Sequence, residues 1–228
     1  MNPDLQTNAQ EILERVRVAA EAADRDPAEI TVVAVSKTFD RALMDDAFEL
    51  GFRHFGESRV QEIREKCERP LPEGASIHMI GPLQTNKVRQ LLPHIQVLQT
   101  VDRLRLVNTL AREDSLAENP LDITIQVNVS GEEQKSGVSP ADAGALLAAV
   151  RDVPSLNPIG FMTMAPYGAD EATLRSVFSG LRMLRDELQQ STGVALPMLS
   201  MGMSDDFPVA IAEGATHVRI GRALFGSR

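Results

Sequence analysis

Lys37 stands where a lysine could act as a nucleophile. Residues 32–40 read VVAVSKTFD, so a short apolar run leads directly to Ser36 and Lys37. An amine held among apolar groups and nearby cations has a lowered pKa, and a neutral amine attacks carbonyl carbons to form a Schiff base. The alternative is a lysine at a strand end whose ammonium group reaches water. Position alone leaves both interpretations open.

The segment LSMGMSDDFPVAIAEG, at residues 199–214, is a second candidate. A predicted strand ends here in a turn of small residues, and a helix follows with Ser204 or Asp205 as its N-cap. A glycine-containing turn that opens a helix presents backbone N–H groups, which can bind a phosphate. The alternative is an ordinary capped turn in which Asp205 and Asp206 complement the helix dipole.

Arg219 lies between two β-branched residues in VRIGR (218–222), within a predicted strand. A buried guanidinium needs a partner. That partner could be the ring nitrogen of pyridoxal 5'-phosphate (PLP), or Glu57 on a neighbouring strand. An amine, a phosphate-binding turn and an arginine together indicate a phosphorylated cofactor that carries an aldehyde.

Eight predicted strands alternate with helices, after an extra helix at Leu5–Ala23. Short apolar runs predict strands at 30–35, 52–56, 77–81, 95–101, 122–129, 158–164, 197–203 and 216–226. Amphipathic segments predict helices at 41–50, 59–69, 86–92, 103–116, 141–150, 171–190 and 207–212. This order implies parallel βα units of the α/β class, and eight such units close a (β/α)8 barrel.

An open, doubly wound sheet is the alternative fold. It usually has a glycine-rich turn after its first strand, and VSKTFD contains no glycine. We therefore predict a single (β/α)8 TIM barrel domain over residues 1–228, with the N-terminal helix as an added element. Active sites of this fold lie at the C-terminal ends of the strands. Lys37, the turn after the seventh strand and Arg219 would then meet at one mouth.

The composition disfavours several classes of partner and site. The net charge of −9 argues against nucleic acid or an anionic membrane as the main partner. Cys67 is the single cysteine, which excludes an internal disulfide and a thiolate metal cage. His54 and His78 are interpreted as core histidines, and we predict no metal site. No segment resembles a signal peptide or a membrane span, so we expect a cytoplasmic protein.

Several segments resemble the PLP homeostasis proteins (the YggS/PROSC group). They are VAVSKT, FGESRVQE, HMIGPLQTNKVR, QVNVSGEEQKSG and LSMGMSDDFPVAIAEGATHVRIGRALFG, and they extend from about residue 30 to the end of the chain. The resemblance implies a fold-type III PLP protein, a single barrel similar to the N-terminal domain of alanine racemase. It also implies that the protein binds PLP and buffers or delivers this cofactor inside the cell.

The resemblance assigns roles to individual residues. Lys37 would carry PLP as an internal aldimine, and Arg219 would face the pyridine nitrogen. Ser200 and the backbone around Gly221 and Arg222 would bind the phosphate. The complete set of cofactor-binding residues implied in this way is Lys37, Ser58, His78, Met162, Ser200, Arg219, Gly221 and Arg222.

Four positions depart from the family pattern. Ser58 and Arg59 stand where the family usually has asparagine and an aromatic residue, so an amide contact to the ring edge is lost. Arg222 stands where the family often has threonine, which removes a hydroxyl group but keeps the backbone N–H and adds a cation. Ile77 replaces the aromatic residue that usually precedes the histidine of this motif.

The related racemases need two bases, a lysine and a tyrosine from a second domain of a partner subunit. This chain ends at Arg228, and its single tyrosine, Tyr167, is expected in an exposed loop. An arginine at the pyridine nitrogen also weakens the electron sink that PLP offers. We therefore predict a monomeric PLP carrier without catalytic residues, with PLP-dependent apoenzymes as candidate acceptors.

Two other functions stay open on the sequence. One is a slow PLP-dependent amino-acid racemase, and the other is a barrel enzyme that binds a different phosphorylated carbonyl compound through Lys37. Lys135, in EEQKSG, is either a solvated loop lysine or a second residue that holds PLP.

Overall fold

The computed structural model describes residues 3–132 and 134–226. Eight parallel strands close into a barrel in chain order, and the first strand pairs with both the second and the eighth. The predicted barrel is therefore confirmed, and the open sheet is wrong. The strands are β1 (Thr31–Val35), β2 (His54–Glu57), β3 (Ser76–Met79), β4 (Val97–Val101), β5 (Leu121–Gln126), β6 (Leu156–Met162), β7 (Met198–Met203) and β8 (His217–Ile220).

Helices cover the outside of the barrel. Within the described ranges they are α1 (Pro3–Ala22), α2 (Arg41–Glu49), α3 (Val60–Lys66), α4 (Val88–Leu91), α5 (Leu104–Leu110), α6 (Pro140–Arg151), α7 (Glu171–Thr192), α8 (Phe207–Ala212) and α9 (Arg222–Phe225). The predicted extra helix is α1, which packs against α8 and α9 through a buried apolar stripe that includes Leu5, Ile12 and Val16. No helix in these ranges has the length and apolar composition needed to cross a membrane.

Two local predictions near the C-terminus are wrong. The eighth strand stops at Ile220 and not at residue 226, because the chain turns at Gly221 into the short helix α9. The N-cap of α8 is Asp206, and not Ser204 or Asp205. The residues after β7 and after β8 therefore both form turns at the C-terminal end of the barrel.

The interior of the barrel is unusually polar. Val33 pairs in register with both His54 and Arg219, so these three side chains lie on the same, inner face of the sheet. Barrels of this fold are usually filled with Val, Ile and Leu. Polar side chains in such a position must find hydrogen-bond partners, and here they find one another.

Candidate functional site at the mouth of the barrel

Arg219 is a buried cation at the C-terminal rim. Its side chain is only 4% exposed, one Nη donates to Ser200 Oγ at 2.7 Å, and the other donates to the Thr163 carbonyl oxygen at 2.8 Å. Thr163 directly follows β6, which places the guanidinium at the rim. Both acceptors are neutral. Burial lowers the pKa of Arg219 to about 10, so the group is still a cation at neutral pH.

The proposed salt bridge between Arg219 and Glu57 is wrong. Glu57 lies on the outer face of β2, where its Oε1 accepts from Ser36 Oγ and pairs with Lys66 of α3. Side chains alternate between the two faces of a strand. Arg219 points into the barrel and Glu57 points toward the helices, so the sheet separates them.

A chain of hydrogen bonds runs from Arg219 down to the barrel floor. Ser200 Oγ lies 2.6 Å from Gln99 Oε1, Gln99 Nε2 lies 2.8 Å from His78 Nδ1, and His78 Nε2 lies 3.0 Å from His54 Nδ1. Arginine can only donate, so the Ser200 hydroxyl accepts from it and donates to Gln99. The Gln99 amide then donates to His78, which in turn donates to His54. This assignment makes both imidazoles neutral.

Three histidines pack together at the floor. The ring centroids of His54 and His78 are 5.1 Å apart, and His217 lies 6.3 Å from the first and 6.4 Å from the second. Burial lowers the pKa of all three, that of His217 to about 4. No cluster of three histidine, cysteine or acidic residues in the described parts of the chain is arranged to hold a metal ion.

Lys37 occupies the turn directly after β1. Val33 is in register with Arg219, and Val35 is in register with Gly56, so both valines point into the barrel. Every second side chain of a strand lies on the same face, so Lys37, two residues after Val35, is directed toward the mouth. The side chain is exposed, so the apolar surroundings expected for it are not found. It borders a cavity of about 270 Å³, whose other lining residues are Thr38, Ser58, Arg59 and Glu62.

The loops after β7 and β8 lie side by side. The Ala223 N–H donates to Ser204 Oγ at 3.3 Å, and Arg222 holds both carboxylate oxygens of Asp205 at 2.6 and 2.7 Å. Asp206 turns back toward the protein and accepts from the Met203 N–H. The turn that carries Ser204 is therefore fixed against the start of α9.

Gly202 positions this turn. Its φ is +89°, and a Cβ at this position would lie 2.6 Å from the Ala210 Cβ of α8. Glycine tolerates both the left-handed backbone and the close approach of the helix. A similar approach joins the loops after β2 and β3, because a Cβ on Gly81 would lie 2.3 Å from the Ser58 carbonyl oxygen.

Three of the implied cofactor residues lie below the mouth. Ser200 is fully buried, with its hydroxyl group held between Arg219 and Gln99. Met162 is fully buried in register with Ser200, and His78 is 1% exposed within the hydrogen-bond chain. The structure brings Ser204, and not Ser200, next to α9.

The two residues whose roles were left open lie in different environments. Tyr167 is 89% exposed in the loop after β6, as expected. Lys135 is ion-paired with Glu132, and its Nζ lies 3.4 Å from the Met164 carbonyl oxygen. Lys135 therefore reaches the same rim as Arg219 and is not a fully solvated loop lysine.

Sequence reasoning missed the residues that support the site. Gln99 carries no motif signal, although a polar residue inside an apolar strand is itself a sign that a buried network is present. Ser204 was considered as a helix cap and as part of the turn that could bind a phosphate. Lys66 was hidden in an amphipathic helix, where a lysine normally faces water.

Comparison with known proteins places this chain in a family. The sequence profile of the family described as "Alanine racemase, N-terminal domain" matches residues 7–228. A Pseudomonas aeruginosa protein named pyridoxal phosphate homeostasis protein is 42% identical over 221 residues, which cover 97% of this chain and 94% of that protein. The chain belongs to the PLP homeostasis protein family. The resemblance seen in the sequence motifs is confirmed.

Solved structures agree with this assignment. PipY of Synechococcus elongatus, solved with PLP bound, is 35% identical to this family member with a TM-score of 0.82, over 94% of this chain and all of that chain. Alanine racemase of Corynebacterium glutamicum is 17% identical with a TM-score of 0.71, over 95% of this chain and 61% of that one. The second similarity concerns the fold alone.

Proposed function

We propose that this protein binds PLP at the barrel mouth, holds it reversibly on Lys37 and serves PLP homeostasis as a cofactor carrier. The observation that carries the proposal is Arg219, a rim cation buried against neutral oxygens on the same mouth as the Lys37 amine. The PLP-bound structure of its relative PipY supports the choice of ligand.

The residues at the mouth fit the three polar groups of PLP. PLP supplies an aldehyde, which a lysine amine captures as a Schiff base with loss of water. Lys37 provides that amine at the end of β1. Arg219 provides a permanent donor for the pyridine nitrogen, because its guanidinium stays protonated at neutral pH.

The phosphate is assigned to the paired loops after β7 and β8. In (β/α)8 barrels this is a frequent phosphate site, formed with the N-terminus of a short extra helix. Here α9 is that helix, Gly221 and Arg222 begin it, and the Ser204 hydroxyl lies beside it. Arg222 adds positive charge that its ion pair with Asp205 partly offsets. Ser204 thus takes the role that the motif comparison gave to Ser200.

A carrier role agrees better with this site than an amino-acid enzyme does. A guanidinium donor at the pyridine nitrogen keeps that nitrogen unprotonated, which limits stabilisation of a carbanion. Tyr167 is 89% exposed, so packing does not hold it in the fixed position that a second base needs. We propose that the protein acts as a monomer in the cytoplasm and that PLP-dependent apoenzymes accept the cofactor.

The visible absorption spectrum of the protein with added PLP tests attachment to Lys37. The wild type should show a shifted cofactor band, Lys37→Ala should lack it, and Lys135→Ala should keep it as the matched rim variant. A wild type with only the spectrum of free PLP would contradict the proposal. A band lost in Lys135→Ala and kept in Lys37→Ala would move the attachment site.

Turnover separates the carrier from the racemase alternative. The loaded protein should leave L-alanine and D-alanine unchanged, yet restore activity to a PLP-dependent apoenzyme in the same buffer. Conversion of one enantiomer into the other at a rate that depends on Lys37 would favour the racemase.

A further inference from the structure

The turn that carries Lys37 is held on its N-terminal side by a buried ion pair. Lys66 Nζ donates to the Ser36 carbonyl oxygen at 2.7 Å, and Ser36 Oγ donates to Glu57 Oε1 at 2.6 Å. Lys66 and Glu57 are themselves paired. Both the backbone and the side chain of the residue before Lys37 are thus fixed by the same two charges.

A second acidic residue holds the other side of the turn. The Thr38 N–H donates to Glu62 Oε2 at 2.8 Å, and Thr38 has a φ of +70°. A β-branched residue rarely adopts this left-handed conformation, which persists only where the surrounding structure imposes it. The Glu62 carboxylate supplies part of that constraint directly after Lys37.

All of these groups come from the next βα unit of the barrel. Glu57 is the last residue of β2, whereas Glu62 and Lys66 lie four residues apart on α3 and so share one face of the helix. Because β2 pairs directly with β1, this face lies against the turn after β1. The β2–α3 unit therefore hydrogen-bonds to the Lys37 turn on both sides, at Ser36 and at Thr38.

The buried ion pair between Glu57 and Lys66 is expected to add little to the stability of the fold. Glu57 is fully buried and Lys66 is 5% exposed, and among the described residues Glu57 Oε2 has no hydrogen-bond partner. The cost of removing such charges from water often exceeds the attraction between them. What the pair does provide is a fixed position for Ser36, and hence for the residue that follows.

We propose that Glu57, Glu62 and Lys66 are positioning residues that hold the Lys37 amine in the orientation needed to capture PLP. The inference rests on the proposed attachment of the cofactor to Lys37. The role assigned to these side chains is to hold the turn, although Glu62 also borders the cavity beside Lys37. Loosening them therefore changes covalent capture and leaves non-covalent binding of the ring and phosphate in place.

Variants at Glu62 test the proposal, because this half-buried residue can be changed without leaving a buried charge unpaired. Glu62→Ala should slow the trapping of PLP on Lys37 by borohydride about tenfold, because small misplacements of a reacting group have large effects on rate. Affinity for pyridoxamine 5'-phosphate, which lacks the aldehyde, should stay unchanged. Glu62→Gln keeps an acceptor oxygen for Thr38 and should restore the rate.

Glu65→Ala is the matched control. Glu65 is an exposed residue of the same helix, bonded to Gln61 and not to the turn, so this variant should behave as the wild type. Amide hydrogen exchange of residues 36–39 in the cofactor-free protein gives an independent readout. It should be faster in Glu62→Ala and unchanged in Glu65→Ala.

A double variant tests the buried pair. Glu57→Gln with Lys66→Met removes both charges together, so no ion is left unpaired in the interior. Slower trapping with retained pyridoxamine 5'-phosphate affinity would support the proposal. Trapping at the wild-type rate in Glu62→Ala and the double variant, or parallel loss of trapping and analogue binding, would overturn it. A wild type that is never labelled on Lys37 would instead refute the proposed function.

Discussion

Arg219 and Ser200 are joined by a 2.7 Å hydrogen bond inside the barrel, and this bond links the mouth to the floor. The guanidinium can only donate, so it fixes the direction of each hydrogen bond from Ser200 through Gln99 to the floor histidines. The guanidinium of Arg219, which we propose contacts the pyridine nitrogen, is therefore held by a chain of hydrogen bonds through the barrel interior.

Loss of the Arg219 guanidinium should weaken PLP binding. Arg219→Met keeps much of the side-chain length but removes all donors, and hydrogen bonds to charged groups contribute about 1.5–3 kcal/mol, so the Kd should rise about 10–100-fold. Titration of the visible band measures this change. Arg175→Met, which removes an exposed ion pair on α7, should leave the Kd unchanged. An unaltered Kd in Arg219→Met would refute the role of this residue.

Removal of the Gln99 amide should destabilise the whole protein. Gln99→Leu removes the acceptor of the buried Ser200 hydroxyl and the donor to His78 Nδ1, and each buried polar atom left unsatisfied costs about 1–3 kcal/mol. Urea denaturation should show a free energy of unfolding lower by about 2 kcal/mol or more. Gln61→Leu, on the exposed face of α3, should change it by less than about 0.5 kcal/mol.

The three histidines at the barrel floor should make the free energy of unfolding decrease as the pH falls. The pKa values of His54, His78 and His217 are lower in the folded protein than in the unfolded chain, for His217 about 4. The unfolded chain therefore binds more protons below its histidine pKa of about 6.5. Their contribution is complete above that pH and is lost as the pH falls toward about 4.

Denaturation of His217→Leu across the same pH range isolates this effect. The wild type should lose up to about 1.4 kcal/mol per pH unit more than the variant, since one titrating group changes the slope by that amount. Glu57 and Asp206, whose pKa values are raised by burial, act in the opposite sense. Their effect cancels in the difference between the two proteins, and parallel curves would contradict the assignment.

Substitution of Gly202 should destabilise the protein more than substitution of Gly193, another glycine with a positive φ. Gly202→Ala meets both the left-handed backbone and the Ala210 side chain, whereas Gly193→Ala at the end of α7 meets only the former. The first should lower the free energy of unfolding by about 2 kcal/mol or more, and the second by about 1 kcal/mol. Thermal or urea unfolding of the two variants measures the difference, and equal losses would show that α8 can shift.

Much of the barrel could be predicted from the sequence, because alternating strands and helices carry a strong periodic signal. The ends were harder to predict. The run 216–226 is apolar throughout, and periodicity does not show that Gly221 turns the chain into a helix. The candidate site was expected at the C-terminal ends of the strands because barrels of this fold have their active sites there, and this placement stays a prediction.

The sequence did not predict how far from the rim a side chain lies or which face of the sheet it occupies. Ser200 is held inside the barrel between Arg219 and Gln99, whereas Ser204, in the turn after the same strand, lies against the start of α9. Glu57 and Arg219 carry opposite charges on nearby strands, yet they face opposite sides of the sheet. Such distinctions depend on register and on bulges, including the shift between β7 and β8.

The central claim is that Lys37 carries the cofactor. The most direct measurement is the mass of the peptide containing Lys37 after incubation with PLP and reduction with borohydride. The account predicts one added pyridoxyl phosphate group on Lys37 and none on Lys66, Lys87 or Lys135. An unmodified Lys37, with label on another lysine or on none, would contradict it.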